Sequence, residues 1–319
     1  GGNPYFVEEA ILALAESGSL QGSPGHYRLT APIARWVIPD DVHALLAARI
    51  DRLPEARKRL LQMAAVIGEP FGADPLASLA AQEPADVAAH LQTLFDAGFL
   101  RREDESHYDF RHALLREVAD SQQLETDRAA HHARLAALLQ AAQPAGGSPG
   151  RVAVRIAHHW QHAGDWARAG EWNLIACRWA NNRDIRIAIE QFQLALDHLD
   201  RAPETPAVIR LRIAARATLV RMAPFTPIAL ANIERAYDEG RRMAAAVGDV
   251  AGEAELAISY GNELLRRGDA QAAARHHAEA VALCLVQGLP TMVTRFRLNI
   301  LLCHFSAGLP LSLIHISEP

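Results

Sequence analysis

Lysine is almost missing. Of 32 basic residues only Lys58 is a lysine, and the rest are arginine. A phosphate-binding P-loop needs the pattern Gly-x-x-x-x-Gly-Lys-Ser/Thr, because its lysine reaches the β- and γ-phosphates and its hydroxyl holds magnesium. Lys58 stands in Arg57-Lys58-Arg59, inside a helical pattern and with no glycine before it. These 319 residues therefore hold no such loop. Cysteine is scarce as well. Cys177, Cys284 and Cys303 are odd in number and far apart, which argues against a disulfide framework and for a reduced, cytoplasmic chain. No apolar run of about 18 residues is free of charges, so no membrane span is expected. Gly-x-Ser-x-Gly, His-Glu-x-x-His and Gly-x-Gly-x-x-Gly are all absent, which removes the commonest hydrolase, metalloprotease and dinucleotide signatures.

What is present points to helices. Half of the residues are hydrophobic and alanine is abundant, whereas β-branched residues are sparse. Residues 4–17 predict a first helix, with Asn3 as its cap and Phe6, Val7, Ala10, Ile11 and Leu14 along one stripe. The turn Gly22-Ser23-Pro24-Gly25 precedes a short extended piece at His26-Tyr27-Arg28-Leu29. Pro32 and Pro39 bracket a linker carrying Trp36.

A compact block follows. Asp41 can cap a helix running to Leu53, with Val42, Leu45, Leu46 and Ile50 inward. A second helix spans 55–67 and stops at Gly68. A short third lies near 75–81, and a fourth runs from Pro84 towards Gly98. The alternation in Phe99-Leu100-Arg101-Arg102 and Tyr108-Asp109-Phe110-Arg111 predicts a hairpin. Helix, helix, helix, hairpin is the order of a winged helix, with the helix over 112–119 packing behind the wing. From 126 the pattern is helical without strands, and the loop over 144–150 reads as a flexible junction.

Beyond Arg151 the sequence repeats itself. Ala157, Trp160, Gly164-Asp165-Trp166, Ala169 and Ala176 stand at the same offsets as Gly261, Leu264, Gly268-Asp269-Ala270, Ala273 and Ala280. This resembles the tetratricopeptide repeat, in which small residues sit where paired helices cross and Gly-Asp turns the chain. Weaker echoes are Ile185, Ala188, Phe192 and Ala195, and the helix over 228–247 followed by Gly248-Asp249. The expected fold is all-α: a winged helix with a small β-hairpin, then a tetratricopeptide-like α-solenoid.

Several runs resemble the STAND-type signal-transduction ATPases. They are Gly2-Asn3-Pro4-Tyr5-Phe6-Val7-Glu8-Glu9, the segment from Val42 to Pro54, Ala64-Ala65-Val66-Ile67-Gly68, and the run from Tyr108 to Ala119. Two branches share this region: proteins that join an adenylate/guanylate cyclase domain to an AAA-type ATPase and repeats, and the large LuxR-type transcription regulators. The resemblance implies that residues 1–40 are the C-terminal edge of an ATPase module with a linker, 41–125 the winged helix, 126–150 a connecting helix and loop, and 151–310 the repeats. It implies that Gly2, Asn3 and Pro4 lie near bound nucleotide in the intact protein. ATP and magnesium then belong to the parent, with no cofactor expected in this stretch. The implied partners are a protein on the repeats and the ATPase module of the same chain. The competing reading is a non-enzymatic tetratricopeptide scaffold. Leu311 to Pro319 resemble the translated transposase mosaic-end adapter of DNA library preparation, and the chain is expected to be an internal fragment.

Three other features have bland readings beside sharp ones. The helix before the wing carries Asp86 and Asp96 and no basic residue, and Glu103, Asp104, Glu105 and Asp109 surround Arg101 and Arg102, so duplex DNA is not the expected partner. His158 and His162 are spaced as two zinc ligands could be, without an evident third; no metal site is expected. Trp160, Trp166, Trp172 and Trp179 read as core of the repeats, and His131-His132 and His276-His277 as packing or surface residues.

Overall fold

The computed structural model describes residues 11, 20–22, 26–30, 42–68, 70–143, 150–181, 183–223, 229–290, 292–294 and 296–297. The helix over 4–17 (Ile11 apart), Asp41, Trp36, Cys303, the loop over 144–149 and residues 311–319 lie outside the described residues. The chain divides into two compact units, 1–141 and 142–319.

In the first unit a minimal hairpin pairs β1 (Leu20–Gln21) with β2 (Arg28–Leu29), Leu20 facing Leu29. Helices α1 (Val42–Asp51), α2 (Glu55–Ile67), α3 (Ala73–Ala80) and α4 (Pro84–Asp96) follow. Then come β3 (Leu100–Arg102), β4 (Tyr108–Phe110) and α5 (Ala113–Ser121). The local signals act as read. Gly68 ends α2 at φ 78°, and Pro84 occupies the first turn of α4, where its missing N–H costs nothing. Helix α3 begins two residues before the reading and ends on Ala81, held at φ 54° without being glycine.

Strands β3 and β4 pair antiparallel with Leu100 opposite Phe110 and Arg102 opposite Tyr108. A third partner was not evident in the sequence. Phe71 and Tyr108 exchange both backbone hydrogen bonds at 2.9 Å, so the residue between α2 and α3 adds a one-residue strand to the sheet. The order helix, strand, helix, helix, strand, strand completes the winged helix. Leu46, Ile50, Leu61, Leu76, Leu79, Val87, Leu91 and Leu115 are fully buried in one core. Helix α5 packs chiefly on α2 and α1, and only lightly on β4. Helix α6 (Glu125–Ala141) packs on α2 and α3 and buries Leu135 against the winged-helix core, so the helix read as a connector belongs to the first unit.

Among the described residues the second unit is built of helices: α7 (Val152–His162), α8 (Trp166–Ala180), α9 (Ile185–Arg201), α10 (Pro206–Met222), α11 (Leu230–Val247), α12 (Val250–Arg266) and α13 (Ala270–Val286). Three turns are built alike. Gly164, Gly248 and Gly268 sit at φ 75°, 65° and 92°, a region that costs a side chain dearly. The following Asp165, Asp249 and Asp269 each accept from the backbone N–H three residues on, at 2.9–3.0 Å. Each of these caps is worth about 1 kcal/mol. Asp184 and Thr205 cap α9 and α10 in the same manner.

Small residues let the helices cross closely. A Cβ on Gly170 would stand 2.7 Å from Leu199 Cγ and 3.3 Å from the Ala195 carbonyl, so α8 and α9 meet there. A Cβ on Gly240 would stand 2.7 Å from Leu256 Cδ1. The pairing is not uniform along the array. Helix α8 packs on both α7 and α9, α10 packs on both α11 and α12, and α12 packs on α13, whereas α9 and α10 touch lightly. The two matching signatures lie in α7/α8 and in α12/α13, with three helices between them among the described residues. Three helices cannot be divided into pairs, so one helix stands out of phase.

Candidate functional site

The winged helix presents α4 and the wing as its outer face. Asp86, Asp96, Ala85, Ala88, Ala89 and Phe95 are exposed along α4. Both cations of the wing are engaged. Arg101 Nη2 donates to Asp109 at 2.7 Å, and its other nitrogen lies 3.2 Å from Glu103. Arg102 donates to Gln92 at 2.9 Å and to the Tyr108 hydroxyl at 3.0 Å, with its guanidinium over the rings of Phe95 and Tyr108. In the turn, Asp104 accepts from the Ser106 and His107 backbone N–H groups at 2.8 Å each. The Ser106 N–H and the His107 ring hold its carboxyl down to about 2, so the tip of the wing stays anionic. This face offers carboxylates and apolar surface, and it offers phosphate no free cation from the wing.

Behind that face sits a group the sequence reading missed. Arg49 is 1% exposed. Its guanidinium lies 4.4 Å from the centre of the Phe99 ring and donates to the Ala97 carbonyl, at the end of α4. A buried guanidinium is tolerated where its donors are used and its plane is stacked. Arg49 thereby ties α1 to the turn that launches the wing.

In the repeats, the four tryptophans separate into two classes. Trp160 and Trp172 are buried, as read. Trp166 and Trp179 are only half-buried and lie under Arg201 and Arg183, so they are capped edges rather than core. Two polar networks stitch helices together. Asn173 on α8 donates to Gln191 at 2.8 Å and bonds the His198 ring at 2.8 Å, all three buried. Further on, Tyr237 and Tyr260 stack with centroids 4.3 Å apart, and His276 meets both edge-on. Arg241 bridges Glu253 at 3.0 Å and Glu279 at 2.6 Å. That network joins α11, α12 and α13 through one guanidinium.

The histidines pack. His158 and His162 have ring centroids 4.3 Å apart, and among the described residues no group of three His, Cys, Asp or Glu stands together as metal ligands. Burial lowers His158 and brings His159 down to about 3. His132 and His277 are buried, while His131 bonds Gln123 and His276 bonds the Tyr237 hydroxyl.

Gly2, Asn3 and Pro4 lie outside the described residues. Lys58 sits in α2 and pairs with Asp51 at 2.6 Å, so the one lysine serves a surface ion pair. Among the described residues no helix is long and apolar enough to cross a membrane.

Comparison with known proteins is sparse. No family model matches the chain, and no curated protein matches it. A solved structure that does match is a STAND protein with a tetratricopeptide repeat sensor from Pyrococcus horikoshii, at 12% identity and a TM-score of 0.35. The match covers 85% of this chain and 50% of that one, so the chain spans about half the length of the protein it resembles.

Proposed function

We propose that this chain is the regulatory and protein-interaction portion of a multidomain signal-transduction ATPase. The observation that carries the reading is the union of a winged helix whose outer face is acidic and apolar with an array of capped, closely crossing helices. An all-α array offers a long surface to a protein partner, which is how stacked helical repeats recognise ligands. The winged helix, with its wing arginines already paired, is suited to contact protein rather than to read DNA. In this reading the repeats sense a partner and the winged helix relays that state to a nucleotide-binding module in the same protein. ATP and magnesium would act there, near Gly2, Asn3 and Pro4. A nucleotide cyclase or a transcriptional domain would be the output. The protein would work in the cytoplasm.

The relay follows from linkage. A partner that binds one arrangement of the array better than another shifts the whole chain towards it. The test is ATP hydrolysis by the full-length protein with and without residues 150–297. A rate changed by removal of the array supports the relay. Equal rates overturn it, and a full-length protein without ATPase activity leaves the scaffold reading in its place.

A further inference from the structure

We infer that the outer side of α4 in the winged helix is the docking face for an arginine-bearing amphipathic helix of a protein partner. The inference rests on the protein-contact reading of this face and names the partner's chemistry. It does not require the ATPase module.

The face follows from how α4 sits. Val87, Leu91 and Leu94 turn inward and are buried, so the opposite side of the helix faces out. That side carries Ala85, Ala88, Ala89 and Phe95, all exposed, over about three turns. Alanine has no side-chain freedom to lose when it is covered. It also lets a second helix axis approach to about 8 Å. Phe95 is already oriented. Its ring meets Tyr108 edge-on at 6.4 Å between centroids, and the Arg102 guanidinium lies 5.7 Å over it. The ring is nevertheless 36% exposed. An aromatic held in place yet open on one side suits the anchor position of an interface, because little order remains to be imposed on binding.

Charge selects the occupant. Glu83 precedes the helix, Asp86 lies in its first turn and Asp96 at its end, and all three are exposed. The side chains of Glu83 and Asp86 have no partner among the described residues. Asp96 accepts from Gln92 Nε2 at 2.8 Å and from no cation. The wing adds Glu105, which is exposed and unpaired. The cations of the wing are engaged at home, Arg101 by Asp109 and Arg102 by Gln92 and Tyr108. An acidic or neutral helix would meet these carboxylates without a counter-charge. An arginine fork can take a carboxylate through two donors at once. The side of a helix offers no free backbone N–H or C=O, so an extended peptide would gain no ladder there. Three turns make a small interface, and rim ion pairs make it sensitive to salt.

The experiment is fluorescence anisotropy of the whole chain with a labelled helical peptide of about 18 residues, alanine and leucine along one stripe and arginine on both flanks. A second peptide carries glutamate in place of arginine, and a third holds the residues of the first in scrambled order. The variants are A89R and the pair D86N with D96N. The control is the pair D74N with E117Q, which removes two charges from α3 and α5. All five positions are exposed, and circular dichroism checks that each variant is folded. The arginine peptide should saturate at about 50 mM salt and bind more weakly at about 300 mM. Its binding should weaken about tenfold in A89R and about fivefold in D86N with D96N, and stay unchanged in the control. The scrambled peptide should bind about tenfold more weakly, and the glutamate peptide not at all. The inference is overturned if the arginine peptide does not saturate, if A89R or the paired asparagine variant binds it like the parent, or if the scrambled peptide binds as tightly. Glutamate-peptide binding that A89R abolishes would overturn it and leave the protein-contact reading standing. Saturable duplex DNA binding by the parent chain would overturn that reading itself.

Discussion

Gly261 and His277 touch where α12 crosses α13: a Cβ on Gly261 would stand 2.5 Å from the ring atoms Cδ2 and Nε2, and 3.2 Å from the Ala273 carbonyl. The His277 ring is fully buried and cannot move aside without opening the helix pair. G261A should therefore destabilise the array by about 1–3 kcal/mol, the usual toll of overpacking. Thermal unfolding followed by circular dichroism measures it, and an unchanged midpoint would show that the crossing is looser than this contact implies.

The Gly-Asp turns should be separable from the crossings. D269A removes the acceptor for the Ala272 N–H and should cost about 1 kcal/mol. D269N keeps an acceptor and should cost little. Equal losses in the two variants would mean that the aspartate matters by its charge and not by its cap.

Arg49 makes a sharper case. R49M keeps much of the stem but leaves the Ala97 carbonyl without this donor and loses the stack on Phe99. The winged helix should lose about 2–4 kcal/mol, the range for breaking a buried polar contact together with a stacked cation. R49K should rescue only part, because an ammonium cannot stack as a planar group does. Denaturant unfolding of the two variants reads the difference.

Acid should destabilise the second unit early. His159 binds its proton only near pH 3 in the folded chain, because burial penalises the charged ring, but near 6.5 once unfolded. Between those values the unfolded state carries the extra proton, so stability falls as pH falls, by about 1.4 kcal/mol per pH unit for this group. Below about 3 the loss from this group levels off. His158, His198 and His276 are lowered in the same direction and add to the slope. H159Q should flatten the dependence between pH 6.5 and 4; a slope identical to the parent would rule out His159 as its source.

The acidic face of α4 predicts weak contact with nucleic acid. Fluorescence anisotropy with a labelled duplex at 50 mM salt should show no saturable binding by the chain. D86R together with D96R should create salt-sensitive, sequence-independent binding, since each added cation near phosphate releases counterions. Tight binding by the unaltered chain would overturn the protein-contact reading of this face.

How far the sequence foretold this depends on distance along the chain. Gly164-Asp165 and Gly268-Asp269 were legible because a cap and its left-handed glycine lie within four residues. The wing was legible because alternation over four residues marks a strand. The Phe71–Tyr108 bridge was not, because a strand of one residue has no period. The burial of Arg49 was hidden for another reason: a charged residue on an apolar helix face reads as solvated until the ring that covers it is known. The four tryptophans show the same limit, since composition gives their hydrophobicity but not the arginines that lie over three of them, Trp160, Trp166 and Trp179. Gly2, Asn3 and Pro4 rest on the family resemblance alone.

The uniformity of the Gly-Asp turns has a consequence for how such an array can be built. Gly248-Asp249 links two helices that belong to successive pairs, and Gly268-Asp269 links the two members of one pair, yet their geometry is the same. The joint therefore carries no memory of which side of the stack comes next. A gene that gains or loses a single helix at such a joint still encodes good joints, but every helix beyond it exchanges inner for outer position. Such an event would leave an odd number of helices between two matching signatures, as the described helices have here. One inserted helix would give the far end of the array a new recognition surface without altering a single contact residue.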